Sequence, residues 1–243
     1  MLSSILFVVL TVIRVVIAIL LTRTGLHKET RSVIWLAGLF YLTIIFSLSG
    51  AGVPIPLPLV IVFQGLGQAC LVMFLATTFY NHRSSPMSFF MGLTILATIV
   101  ALVISLTHSI LLFSVQATAY AVVVIAQIGN WIWNAVAARQ GLKDVSQDKY
   151  VEDWVKSRYR LMVIYSLVFL IPCSLAPFVS VVPQGVVLLV FLIAFSVLVV
   201  QYLVWGMPEF FRNYLNRHYK PMSLDMNKIM SMSEEEIMGL AQK

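Results

Sequence analysis

Seven runs of about 20 mostly apolar residues, parted by short polar segments, take up most of this 243-residue chain. A run of that length and character is what an α-helix needs to cross the hydrocarbon layer. Within it every backbone N–H beyond the first turn and every C=O before the last is paired inside the segment, so none in the hydrocarbon is left facing lipid. The runs cover residues 3–22, 33–50, 57–81, 87–108, 115–138, 159–180 and 184–206. The expected fold is therefore all-α: a bundle of seven transmembrane helices over residues 1–206, with a tail over 207–243. Composition agrees, at 60% hydrophobic and 11% charged, where a soluble domain carries about a quarter charged residues. No stretch remains for a separate soluble domain.

Charge then sets the expected orientation. All of the 16 Lys and Arg residues except Arg14 fall between runs 1–2 (Arg23, Lys28, Arg31), 3–4 (Arg83) and 5–6 (Arg139, Lys143, Lys149, Lys156, Arg158, Arg160) or in the tail. Segments 2–3, 4–5 and 6–7 carry none, and all ten acidic residues share the basic side. The positive-inside rule gives a multi-pass protein of the cell membrane with an extracytoplasmic N-terminus and a cytoplasmic C-terminus. The same distribution explains the net charge of +6 without nucleic acid, which would call for one continuous basic face. The N-terminus has no positively charged n-region, so the first run is read as a retained span and not a cleaved signal.

Arg14 is the exception, lying in the middle of the first run. A guanidinium near the bilayer centre costs at least about 2.5 to 3.5 kcal/mol and cannot shed its proton. It needs acceptors, and no span contains Asp or Glu. Depth counted from the span ends puts Gln68, Thr98, Gln127 and Ser196 near its level. Two readings stay open: a pocket in which Arg14 binds an anionic or carbonyl group oriented by the glutamines, or interhelical glue made of Arg14, amides and backbone carbonyls. Run 5 ends in Gln127-Ile-Gly-Asn-Trp-Ile-Trp-Asn134. Asn130 and Asn134 share a face four residues apart and seek a partner helix or a cavity. Trp131 and Trp133 read as an aromatic belt at the membrane interface, and Gly129 as a place of close helix approach. Pro172 and Pro177 kink run 6 and free carbonyls around Cys173 and Ser174. Cys70 and Cys173 lie in apolar runs and behave as small hydrophobes. The candidate ligand residues are thus Arg14, Gln68, Gln127, Asn130 and Asn134.

In the tail, Pro208 suits a first helical turn, and Phe210, Phe211, Tyr214, Leu215 and His218 recur at helical spacing up to Pro221. This reads as a juxtamembrane amphipathic helix. Phe210, Phe211 and Tyr214 meet the headgroup region, while Arg212, Arg217 and Lys220 meet anionic lipid or a protein partner. Ser233-Glu-Glu-Glu236 matches a capping box opening a short second helix.

No carboxylate dyad, nucleophile elbow, H-E-x-x-H or Gly-rich phosphate loop is present, so the expectation is a non-enzyme without cofactor. His27, His82, His108 and His218 form no pair at metal or haem spacing, and no metal is expected. Run 7 has no Lys for a retinal Schiff base, which sets aside a microbial rhodopsin. Short echoes, Thr22-Arg-Thr-Gly-Leu26 against Ala137-Ala-Arg-Gln-Gly-Leu142 and Gln64-Gly65 against Gln184-Gly185, fit two parallel three-helix halves joined by span 4. That layout is similar to the SWEET sugar carriers. Pro183-Gln184 spells the dipeptide of the PQ-loop proteins, but it opens run 7, whereas that family carries it in the first helix of each half. The resemblance is one of architecture and implies no membership.

The leading functional expectation is a sensor or receptor-like signalling module: an intramembrane polar pocket for a small anionic or polar ligand, and a docking face for a cytoplasmic protein partner formed by the segment 139–160 and the tail. The alternatives are a small-solute transporter or channel of SWEET-like architecture, and an accessory subunit packing on a larger membrane complex or on copies of itself as a homo-oligomer. Membrane lipids contact the chain in all three.

Overall fold

Proline marks where several helices begin. Pro56 caps α3 (Leu57–Phe79) with Pro58 in its first turn, and Pro86 is the second residue of α4 (Ser85–Thr107). Pro183 and Pro208 directly precede α7 (Gln184–Gly206) and α8 (Glu209–Leu215). In each case the missing N–H falls where a helix leaves its first N–H groups unpaired anyway. The remaining elements are α1 (Leu2–His27), α2 (Arg31–Gly50), α5 (Phe113–Gln147) and α6 (Asp153–Leu175). The α2–α3 turn passes through Gly52 at φ 101°, a left-handed conformation that glycine adopts without steric cost.

The computed structural model describes residues 2–27, 31–80, 85–107, 113–147, 151–175, 183–206 and 208–216. Among them every regular element is helical, and seven helices are long and apolar enough to cross a membrane. The protein is an all-helical, multi-pass membrane protein. Each of the seven long helices packs on its neighbours in sequence, α7 closes the ring on α1, and α8 packs on α6. Because α3 also packs directly on α5, α4 is left at the periphery. Its span is 22% buried, against 56% for α3 and for α5.

The outward faces are what lipid requires. α1 presents Val8, Val12, Val16 and Ile19, α4 presents Ile95, Ile99 and Leu106, and α7 presents Leu188, Leu192 and Phe195, all exposed. Lipid tails are as apolar as these side chains, so close backbone approach and packing, not water exclusion, hold the helices together. Small residues accordingly fill the contacts: Ala18, Ala76, Ala101, Ala119 and Ala138 are completely buried. The tightest approach lies at Gly65, where an added Cβ would stand 2.3 Å from Thr98 Oγ1 and 3.0 Å from Thr98 Cβ. A threonine is too short to swing clear. Gly65→Ala is therefore expected to part α3 from α4 at a cost of about 1–3 kcal/mol, read as a lower midpoint of unfolding in detergent. At Gly129 a Cβ would meet Leu93 at an ordinary 3.5 Å, so the close contact expected there is supplied by Gly65.

Two expectations need correction. The segment 139–160 is not a loop: α5 runs on to Gln147, 35 residues in all, and α6 starts at Asp153. At 1.5 Å per residue α5 is about 52 Å long, against about 30 Å of hydrocarbon. α5 therefore continues past the end of the bundle that carries the basic residues, here the basic end. The Gln-Gly echo also dissolves, because Gln64 lies about two turns inside α3 while Gln184 is the exposed first residue of α7.

The juxtamembrane helix forms as α8 but stops at Leu215, before Pro221. Phe210 and Tyr214 are exposed on it. Arg217, His218 and Lys220, the capping box at 233–236, His82, His108 and Pro177 lie outside the described residues.

Candidate functional site

Arg14 is buried against α2. Its Nη1 donates to the Thr43 carbonyl at 2.9 Å and to Ser47 Oγ. Thr43 and Ser47 are four residues apart and so lie on one face of α2. The Thr43 hydroxyl bonds back to the Leu39 carbonyl. Its own carbonyl, already accepting the helical N–H of Ser47, has a second lone pair for the guanidinium. The Cys173 thiol, beside the buried Pro172 in α6, lies within electrostatic reach of Arg14. The acceptors are neutral oxygens, as a chain without intramembrane carboxylates requires. They are not the glutamines expected from depth.

Those glutamines bond elsewhere. Gln64 Nε2 donates to Gln127 Oε1 at 3.3 Å, and Asn130 Nδ2 donates to Gln68 Oε1 at 3.2 Å and to Thr94 Oγ1 at 3.0 Å. Gln64 and Gln68 are one turn apart on α3, Gln127 and Asn130 one turn apart on α5. The two pairs make a short amide ladder, with Thr94 of α4 closing it from the outside. Thr98 hydrogen-bonds to the Thr94 carbonyl of its own helix. Ser196 takes no part: it is exposed on α7 and bonds to the Leu192 carbonyl.

Asn134 is fully buried one turn beyond Asn130. The Tyr165 hydroxyl is its polar neighbour, although neither amide atom reaches hydrogen-bond geometry. Tyr165 in turn accepts from Trp205 Nε1 at 3.2 Å, and the Arg158 guanidinium lies 3.9 Å from the centroid of a Trp205 ring. Arg158 belongs to no loop; it is a helical residue stacked on an aromatic face, an attractive cation–π geometry. Trp131 and Trp133 form no lipid-facing belt either. Trp133 stacks on Phe90 at 4.6 Å and on Tyr80 at 5.8 Å, and Trp131 packs on Phe169 at 4.7 Å. Both are buried, because α3, α4 and α6 pack against α5 at their level and cover the rings.

At the basic end α8 is fastened to the start of α6. The Trp154 backbone N–H donates to Asn216 Oδ1 at 3.1 Å, Asn216 Nδ2 donates to Glu152 Oε2 at 2.8 Å, and the Trp154 indole N–H donates to the same carboxylate. Arg212 reaches Glu152 at 4.0 Å.

The chain matches no protein-family model, no curated protein and no solved structure.

The site therefore stands on its own geometry. Arg14, Gln68, Gln127, Asn130 and Asn134 occupy three separate contacts: Arg14 on α2, the ladder between α3 and α5, and Asn134 against α6. Of two open clefts on the bundle surface, one is lined by residues of α1 and α2 at the basic end and the other by apolar residues of α1 and α7. Neither is lined by any of these five side chains. The interior polar groups are occupied chiefly with one another.

The α8 fastening is open to a pH test. The Asn216 amide, then the Trp154 indole N–H and Arg212, hold the Glu152 carboxyl below its ordinary range. A lowered carboxyl pKa gives stability that is present above the unfolded-state value and lost as pH falls through the folded one. Hydrogen exchange of the α8 amides is therefore expected to accelerate as pH drops below the usual carboxylate range, after correction for intrinsic rates. Glu152→Gln is expected to remove that pH dependence.

Proposed function

We propose that this chain is a non-enzymatic, receptor-like membrane module whose polar interior sets helix positions and whose basic end docks a cytoplasmic protein. The observation that carries the reading is the continuation of α5 well past the membrane thickness, with α8 tied to the residues that begin α6. A bundle with no partner beyond the bilayer needs neither feature. Arg139, Gln140, Lys143 and Asp144 are exposed along or near the extension of α5, giving a charged surface of mixed sign suited to a protein face. The positive-inside distribution supports a cytoplasmic position for that face.

A ligand taken up by Arg14 or by the amide ladder would have to exchange for bonds already made. Its differential affinity for the two arrangements would then be the signal. Arg14 Nε is buried without a partner, which leaves that N–H for a small polar or anionic group.

A transporter is the second reading. α3 packs on α5 and α7 on α1, and this is the relation that two parallel halves, α1–α3 and α5–α7, would share under a pseudo-twofold axis.

Purification of the full chain in mild detergent, with mass spectrometry of what accompanies it, separates these. The receptor-like reading expects a stoichiometric soluble protein, lost on joint charge reversal by Arg139→Glu and Lys143→Glu, and no solute flux in liposomes. Flux by the chain alone would establish the transporter reading instead, and a stoichiometric membrane partner would establish an accessory subunit.

A further inference from the structure

An open cleft of about 550 Å³ on the bundle surface lies between α1 and α2 and is lined by Ile19, Thr22, Arg23, Leu26, His27 and Tyr41. Its chemistry changes along its length. Arg23 and His27, one turn apart and both exposed, stand toward the basic end of α1; Ile19 lies eight residues, or about 12 Å, nearer the membrane centre. Tyr41 of α2 starts from a similar depth. Ile19 and the Tyr41 ring are exposed at this depth, so the deep part of the cleft is mainly apolar, while Leu26 adds exposed apolar surface between Arg23 and His27. The described residues that line it include no carboxylate, and among the described residues no ion pair involves Arg23. A cation at headgroup level, above an apolar channel that opens sideways to lipid, is complementary to one kind of molecule.

We propose that this cleft binds an anionic phospholipid, its headgroup on Arg23 and His27 and an acyl chain along Ile19 and Tyr41. A free anion would leave the apolar half unfilled. A zwitterionic lipid would set its own cation against Arg23. The site is independent of α8, whose arginine is already engaged with Glu152, and of any docking at the α5 extension.

Native mass spectrometry of the full chain in detergent tests this, with phosphatidylglycerol and phosphatidylcholine of identical acyl chains titrated in parallel. The expected result is one retained phosphatidylglycerol, favoured over phosphatidylcholine by about fivefold, the order that one basic side chain gives at an anionic lipid surface. Arg23→Gln removes the preference, Ile19→Ser weakens retention of both lipids, and Arg212→Gln changes neither. Arg23 and Ile19 are exposed, so both variants are expected to fold. Equal retention of the two lipids, an unchanged preference in Arg23→Gln, or its loss in Arg212→Gln overturns the assignment. Displacement of the lipid by millimolar inorganic phosphate also overturns it, since the site would then be one for the anion alone.

Discussion

Arg14→Leu is expected to stabilise the bundle by about 1–3 kcal/mol, while Ser47→Ala is expected to destabilise it by a similar amount, although the two substitutions remove opposite ends of one hydrogen bond. The difference follows from what each leaves behind. Without the guanidinium, the Thr43 carbonyl keeps its helical partner and the Ser47 hydroxyl can bond back within α2, as the Thr43 hydroxyl already does. Nothing charged is left in the interior, and the insertion cost of an arginine, at least about 2.5 to 3.5 kcal/mol, disappears. Against that stand two interhelical hydrogen bonds, which between membrane helices average only about 0.6 kcal/mol each. The packing of the long side chain is largely restored by leucine. Without Ser47, by contrast, Arg14 stays charged and buried with one acceptor fewer, and its Nε already has none. The double variant is expected to resemble Arg14→Leu alone, because the serine has no task once the cation is gone. Reversible unfolding in mixed micelles reads all three. If Arg14→Leu lowers stability by more than about 1 kcal/mol, the guanidinium is structural glue and the receptor-like reading loses its central residue. If it raises stability while partner recovery falls, the chain carries a destabilising charge for the sake of function.

How far these residues are legible in the sequence depends on whether the signal is local. The seven spans are, because each hydrogen-bonds within itself and is marked by its own apolar run. Arg14 is as well, since a cation among Val and Ile needs no neighbour to look out of place. Its partners are not. One is a backbone carbonyl, which has no sequence identity, and the other is a serine whose usual membrane role is to bond back into its own helix. Depth counting put Gln68 and Gln127 at the level of Arg14, but depth does not fix which way a helix is rotated, and both amides face the α3–α5 contact instead. The end of α5 is illegible for a different reason: Arg139-Gln-Gly-Leu-Lys-Asp-Val-Ser-Gln147 is polar, and polarity marks where a helix leaves lipid, not where it stops. Trp131 and Trp133 look like an interfacial belt because sequence gives their depth and not the neighbours that cover them; Tyr80, Phe90 and Phe169 take the place of lipid.

Trp205→Ala is expected to cost about 3–5 kcal/mol, more than any other single substitution at the basic end. The indole joins three helices at the point where the membrane bundle meets its extension. Its ring meets Phe74 of α3 edge-on at 4.6 Å, its Nε1 donates to Tyr165 of α6, and Arg158, two turns before Tyr165, rests on its face at 3.9 Å. Truncation leaves a cavity beside Phe74, an unpaired buried hydroxyl on Tyr165 and a guanidinium without its aromatic platform. Trp205→Phe separates these effects. It keeps most of the volume and a weaker cation–π face and loses only the Nε1 bond, so about 1 kcal/mol is expected. The consequence should travel along α6 because Arg158 sits only a turn beyond Trp154, and Trp154 and Glu152 hold Asn216 and with it α8. Amide hydrogen exchange in Trp205→Ala is therefore expected to rise through the first three turns of α6 and in α8 together, with the amides of α2 around Thr43 unchanged. A loss confined to α7 would mean that α6 and α8 stand without the indole, and the polar chain from Asn134 to α8 would then carry no coupling. Concerted loss, accompanied by release of the soluble partner, would place the output of the receptor-like module on this tryptophan.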